Sequence, residues 1–150
     1  MGEILVALCL AAMELGTPAQ PRERAMATCY RVGALADLAG LDAALAVALT
    51  YTESRFNPEA MSGVGAIGPM QIIPRWHCPD GRERGCDVVV AGVAALARYL
   101  ARYRGVGAAL CHWSQGNVCG RAGRRFARVV LGRREAVAHR GMQLDAEGGP

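Results

Sequence analysis

Glu53 is the residue of this 150-residue chain best placed to carry a proton to and from a reacting oxygen. It is the only charged side chain between Ala43 and Ser54, and the apolar run Ala-Leu-Ala-Val-Ala-Leu-Thr-Tyr-Thr leads straight into it. Apolar surroundings penalise a carboxylate, raise its pKa and let the group hold a proton near neutral pH. A carboxyl group kept in that state can protonate a poor leaving-group oxygen and then, as the anion, act as a base. Arg55 would oppose the shift if its guanidinium faced the carboxyl, but helical residues two positions apart point in different directions, so Arg55 is expected to face elsewhere.

The elements that must hold Glu53 read as helices. Ala, Leu and Val recur at helical spacing nearly throughout, with no alternating run of strand length and no internal repeat. Arg22 to Leu38 reads as one helix ended by Gly40, and Asp42 is suited to cap the next. In that second helix Leu41, Leu45, Ala48 and Leu49 share a core face, and Pro58 requires a stop near Asn57, which puts Glu53 in the last turns near the mouth of a cleft. From Asn57 to Gly85, Gly, Pro and polar residues predict a long irregular segment, with a short helix at Met70 to Ile73 stopped by Pro74. Val89, Val93, Leu96 and Leu100 mark a further helix, Val106 to Ser114 a shorter one, and Arg121 to Leu131 an amphipathic one with Phe126, Val129 and Val130 inward. The expected fold is all-α: one helical domain over residues 21–132, after a segment 1–20 and before a polar, fraying tail at 133–150.

Composition narrows the setting. All 17 basic residues are arginine and the formal net charge is +4, which fits biased codon usage as well as a polyanionic partner. Seven arginines fall between Arg121 and Arg140, but no recognition motif accompanies them and aromatics are few, so nucleic acid is not expected as a partner. Residues 1–20 read either as a cleaved secretory signal, with Thr17-Pro18-Ala19 near the cut, or as a first amphipathic helix. The apolar run is too short for a membrane span. Cys78 and Cys86 share the spacing of Cys111 and Cys119, so two local disulfides and an oxidising compartment are expected, although four cysteines permit three pairings. His77 and His112, each beside one of these cysteines, leave zinc as the alternative, but the close spacing of structural sites is absent. Cys9 would leave with a signal peptide, and Cys29 would then stand unpaired as a small buried hydrophobe.

The motifs around Glu53 carry a resemblance. Glu53-Ser54-Arg55-Phe56-Asn57-Pro58, then Ser62, then Gly65-Ala66-Ile67-Gly68-Pro69-Met70-Gln71 and Ile73-Pro74, resemble the active-site segment of the soluble lytic transglycosylase (SLT) domains, relatives of goose-type lysozyme. Ala91-Gly92 and Tyr99-Leu100 resemble the family's next helix, expected to be scaffold, and the likeness runs over about two thirds of the chain, from Leu38 to Val130. The family's third signature, commonly Ala-Tyr-Asn-x-Gly, reads here His112-Trp113-Ser114-Gln115-Gly116. Trp113 keeps a ring and one N–H donor but loses the phenolic hydroxyl, and Ser114 is shorter than Asn.

The resemblance implies a lysozyme-like domain that cuts the β-1,4 bond between N-acetylmuramic acid and N-acetylglucosamine in peptidoglycan. Glu53 would be acid and then base, with no cofactor or metal. Ser62, Gly65, Gly68, Gln71 and Trp113 are the expected substrate-binding positions, with Ser54 and Met70 in support. The segment from Glu53 to Asp80 holds one other acid, Glu59, in an expected exposed turn, which favours a single-acid mechanism over the two-carboxylate scheme. Were Asp80 or Asp87 carried back to the cleft, the enzyme would be a hydrolytic muramidase. A wall-binding module that has lost turnover through the altered third signature is the non-enzymatic alternative. The expected setting is a monomer outside the cytoplasm or on a phage, acting on peptidoglycan strands, with secretion-apparatus or phage-assembly partners open.

Overall fold

A computed structural model describes residues 2–148, and the described residues are all-helical: α1 (Gly2–Met13), α2 (Arg22–Leu38), α3 (Ala43–Ser54), α4 (Pro74–His77), α5 (Val88–Arg102), α6 (Val106–Gln115) and α7 (Arg121–Ala146). Sheet structure is limited to isolated bridges pairing Ile67 with Met61 and with Ile72. Helix α3 is central. Its residues Ala44 to Tyr51 are all buried, and it separates two clusters of the core. Leu45, Ala46, Ala48 and Leu49 face Ile67, Met70, Leu96 and Leu110, whereas Ala44, Val47 and Tyr51 face Cys9, Cys29 and Phe56. A helix apolar all round is one buried all round, so the expectation of a single core face falls short. Asp42 caps α3 by accepting from the Ala44 and Leu45 amides at 3.0 and 3.3 Å.

Three expectations about local structure change. Met70 to Ile73 is a turn followed by a bridge rather than a helix, and Pro74 opens α4 instead of closing a preceding one. Proline is favoured in the first helical turn because the N–H it lacks has no intrahelical partner there. The segment after Arg133 does not fray: α7 continues for 26 residues, about 39 Å at the usual rise. Its buried positions Gly123, Ala127, Val130, Val137 and Gly141 form a stripe of small and β-branched residues against α6, α3 and α1. A side chain at Gly123 would lie 2.7 Å from the Cys111 sulfur, and one at Gly141 would lie 3.4 Å from the Leu8 Cα. Within this stripe Val130 is buried, Phe126 half-buried and Val129 exposed, so only part of the expected inward trio faces the core.

Three disulfides tie the frame together: Cys9–Cys29, Cys78–Cys86 and Cys111–Cys119, with Cα–Cα distances of 5.9, 5.6 and 5.5 Å. The first joins α1 to α2, so Cys29 is paired rather than free, and the other two engage the thiols that a zinc site would need. Helix α1 packs on α2, α3 and α7, and Arg140 donates to Glu14 just beyond its end at 2.9 Å. No helix among the described residues is long and apolar enough to cross a membrane. Much of the basic run in α7 is engaged within the chain: Arg133 with Thr52, Arg134 with Asp42 and Glu135, Arg140 with Glu14, and Arg124 with the Cys119 carbonyl.

Opening the Cys9–Cys29 bridge by a Cys9→Ser/Cys29→Ser double substitution removes the cross-link between α1 and α2. We expect a loss of about 2–4 kcal/mol in denaturant unfolding; an unchanged midpoint and slope contradict this role for the bridge.

Candidate active site

Glu53 sits where α3 leaves the core. The helix ends one residue later because Arg55 and Phe56 adopt left-handed backbone angles, φ 50° and 63°. Neither is glycine, and such angles are uncommon for bulky side chains. Phe56 is fully buried against Tyr51, with ring centroids 5.8 Å apart, and that burial holds the chain in its turn. The stop therefore falls ahead of Asn57-Pro58, and it leaves Glu53 half-buried at the last turn. Arg55 points away, donating to the Thr17 carbonyl at 3.3 Å.

The hydroxyls beside Glu53 are committed elsewhere. Thr50 and Thr52 bond back to the Ala46 and Ala48 carbonyls at 2.8 and 2.7 Å. Ser54 reaches the Pro69 carbonyl at 2.7 Å and so fastens the end of α3 to the glycine-rich segment. With these donors occupied, burial dominates: the Glu53 carboxyl is pushed up from 4.5 to about 7, while the Trp113 indole N–H facing it acts in the opposite, weaker sense. Glu53 is half-buried and lines a hollow, so the carboxyl keeps its opening to the surface.

Glu53 lines one of two hollows here, and Trp113 lines the other. One, of about 330 Å³, is lined by Tyr51, Thr52, Glu53, Ser54, Arg55 and Arg133. The other, about 570 Å³, has Gln71, Ile73, Trp76, His77, Tyr99 and Trp113 in its wall, with Ser114 to Asn117 at its rim. Trp113 links the two through its approach to Glu53. The groove wall is aromatic: the Trp113 ring stands edge-on to Tyr99 at 5.5 Å and parallel to His77 at 6.4 Å. Aromatic faces of this kind suit the apolar faces of sugar rings, leaving polar edges for hydrogen bonds. A third hollow, between α1 and α2 and lined by Ile4, Leu5, Leu8, Tyr30 and Leu38, is largely apolar and remote from Glu53.

The remaining sequence-derived positions divide. Gln71 lines the groove, but its amide nitrogen is spent on the Ala60 and Gly68 carbonyls at 3.1 and 2.9 Å, which leaves its oxygen as the free acceptor. Gly68, at φ 77°, is where the loop meets α5: a side chain there would stand 2.7 Å from a Val88 methyl. Met70 is fully buried against Gly92 of α5. Ser62 and Gly65 lie on the exposed tip of the loop, where the Ser62 hydroxyl accepts from the Ala66 amide at 3.1 Å, and neither lines the groove. Among the other acids, Asp87 caps α5 and pairs with Arg31, Glu59 pairs with Arg24, and Asp80 is exposed. None of the three lines either hollow at Glu53.

Sequence reasoning overlooked Tyr99, Trp76, His77 and Arg133 as parts of the site. Tyr99 is expected to be scaffold, yet it sits on the groove wall. Its signal was the pairing of Tyr99 with Tyr103 one helical turn on, an aromatic face too large for a helix otherwise rich in Ala and Val. Arg133 carried no signal, because the helix that delivers it was expected to have ended.

A carboxyl whose folded-state pKa is raised binds its proton more tightly when folded, so its ionisation subtracts stability as pH climbs from 4.5 towards 7. Glu53→Gln removes that cost, on the order of 3 kcal/mol at most. The stability difference between variant and wild type should favour the variant more at pH 8 than at pH 4 in denaturant melts. A difference independent of pH contradicts the raised pKa.

The geometry agrees with what the chain is similar to. A family model described as Transglycosylase SLT domain matches residues 32–124, which hold Glu53, the glycine-rich segment and the Trp113 wall. A protein named Transglycosylase from Enterobacteria phage PRD1 is 35% identical over 88 residues, 57% of this chain and 33% of that protein. The matched stretch thus spans about a third of the relative's length. No solved structure matches the chain. On the family match, over more than half its length and including Glu53, the chain belongs to the transglycosylase SLT domain family.

Proposed function

We propose that the protein is a peptidoglycan lytic transglycosylase that breaks the β-1,4 bond between N-acetylmuramic acid and N-acetylglucosamine. The observation that carries this reading is one carboxyl, Glu53, held near a pKa of about 7 beside Trp113 of the aromatic groove, with no second acid lining either hollow. Protonated Glu53 gives its hydrogen to the bridging oxygen as the glycosidic bond breaks. With no carboxylate opposite, the sugar's own N-acetyl oxygen closes on the anomeric carbon, the substrate-assisted departure from the two-acid scheme. Glu53, now the anion, takes the proton from the 6-hydroxyl of the same sugar. That oxygen displaces the N-acetyl oxygen, so the product is a 1,6-anhydro-N-acetylmuramic end and the carboxyl is again protonated.

The chain's own residues divide the remaining work. Trp113 gives the sugar a ring to stack on and, through its N–H, restrains the Glu53 pKa; Gln71 offers its free oxygen to a sugar hydroxyl or amide. Ser62 and Gly65 are assigned to the outer lip of the site, reached by a longer strand, and Gly68 shapes the base of the loop. No cofactor or metal enters the scheme. Acid and base roles in one residue require a pKa near the working pH, which is what burial supplies. Three disulfides suit an oxidising location, and the relative's phage origin supports action outside the cytoplasm or as part of a virus.

Mass spectrometry of digested wall should show anhydro ends; purely reducing muramic ends contradict the transglycosylase reading in favour of a muramidase. Glu53→Gln should lower the rate roughly 10²–10⁴-fold with the fold intact, whereas equal behaviour of the two proteins points to a binding module. For the wild type, kcat/KM should fall as pH rises through about 7, since the free enzyme must carry the proton. Trp113→Phe keeps a ring but removes the N–H that favours the anion, so this alkaline limb should move to higher pH. A limb that stays or moves down rejects the part given to Trp113.

A further inference from the structure

The aromatic groove does not end at His77 and Tyr99. A neighbouring hollow of about 500 Å³ shares Trp76, His77 and Tyr99 with it and is completed by Arg98, Ala101 and Arg102 of α5. Arg98 and Arg102 stand one helical turn apart on the same face, and among the described residues neither pairs with a carboxylate. Arg98 is held in place: its guanidinium lies 3.2 Å from Nδ1 of His77, whose ring stacks parallel to Trp113. A guanidinium has only donors, so Nδ1 is the acceptor and the ring is neutral with its proton on Nε2. Burial first, and the Arg98 charge second, push the His77 pKa down, in keeping with that tautomer. On the other side Arg102 lies over the Tyr103 ring at 5.4 Å. One line of contacts therefore runs from Glu53 through Trp113 and His77 to a pair of oriented, carboxylate-free arginines.

We propose that Arg98 and Arg102 form a subsite for the carboxylates of the peptide stem carried by the wall glycan, so that the enzyme distinguishes peptide-bearing strands from bare ones. This inference rests on the proposed action on peptidoglycan. A glycan lying along the aromatic wall carries its peptide on the lactyl group of every second sugar, and the stem's carboxylates project sideways from the sugar chain. The hollow adjoins the groove through the shared Trp76, His77 and Tyr99, and its charge is opposite to theirs. Guanidinium groups bind carboxylates with paired, charge-assisted hydrogen bonds, and an arginine already oriented loses less freedom on doing so. Sugar binding in the first hollow and anion binding in the second are separate tasks of adjoining walls.

The test uses defined synthetic tetrasaccharides, with and without peptide stems, binding to the Glu53→Gln protein so that turnover does not intervene. The stem should tighten binding about tenfold, an effect of the size of one exposed charge-assisted contact, and the gain should shrink at high salt. Adding Arg98→Ala and Arg102→Ala should abolish the gain while the bare tetrasaccharide binds as before. The double change Arg98→Gln/Arg102→Gln, which keeps more of both side chains' bulk, should do the same if the alanine protein is poorly folded. A stem that adds nothing, or adds the same with and without the arginines, overturns the subsite. Wild-type protein that leaves both tetrasaccharides uncut counts against the proposed activity instead, and the binding comparison still decides the subsite.

Discussion

Everything distinctive about this domain follows from the desolvation of one carboxyl group at the end of a buried helix. Helix α3 is surrounded by apolar contacts from Ala44 to Tyr51, and Glu53 stands two residues beyond that run. A carboxylate there loses hydration that no protein donor fully replaces: the adjacent hydroxyls are turned to backbone carbonyls, and the Trp113 N–H compensates only in part. The resulting pKa near 7 makes the group equally able to give and to accept a proton. Moving Glu53 one turn towards the N-terminus would bury it outright.

The rest of the frame keeps that position exact enough to use. Phe56 anchors the left-handed turn that ends α3, and Ser54 fastens the same turn to Pro69. The groove walls are held from outside by short covalent loops: Cys78–Cys86 begins one residue after His77, and Cys111–Cys119 encloses Trp113 and the rim to Asn117. Helix α7 supports α6 through the close approach at Gly123 and brings Arg133 to Thr52, beside the acid. Small residues at these contacts bring backbones together, and large aromatic ones line the open side.

Much of this was legible in the chain, for identifiable reasons. Helices bounded by a cap or a strong period were found nearly to the residue: Arg22 to Leu38 agrees at both ends, and Asp42 does cap α3. The short helix was misplaced because Pro74 is compatible with either a stop or a start, and only the positive φ of Gln71 and the Ile67–Ile72 bridge decide between them. The tail was misread because polarity on a helix face says nothing of the small residues opposite: Gly123 and Gly141 lower local helix propensity, yet they permit the packing that extends α7. Glu53 stood out from its apolar context alone. Tyr99, His77 and Arg133 did not, since the groove is assembled from segments distant in sequence and each has an ordinary role when read singly.

The most direct measurement is the ionisation of Glu53 itself, followed by carbon NMR of the protein labelled at glutamate side-chain carboxyls and assigned by comparison with Glu53→Gln. The account predicts one resonance, absent from the variant, that titrates with a midpoint near 7. A Glu53 resonance with its midpoint near 4.5 would contradict it, because the group would then be ionised at neutral pH.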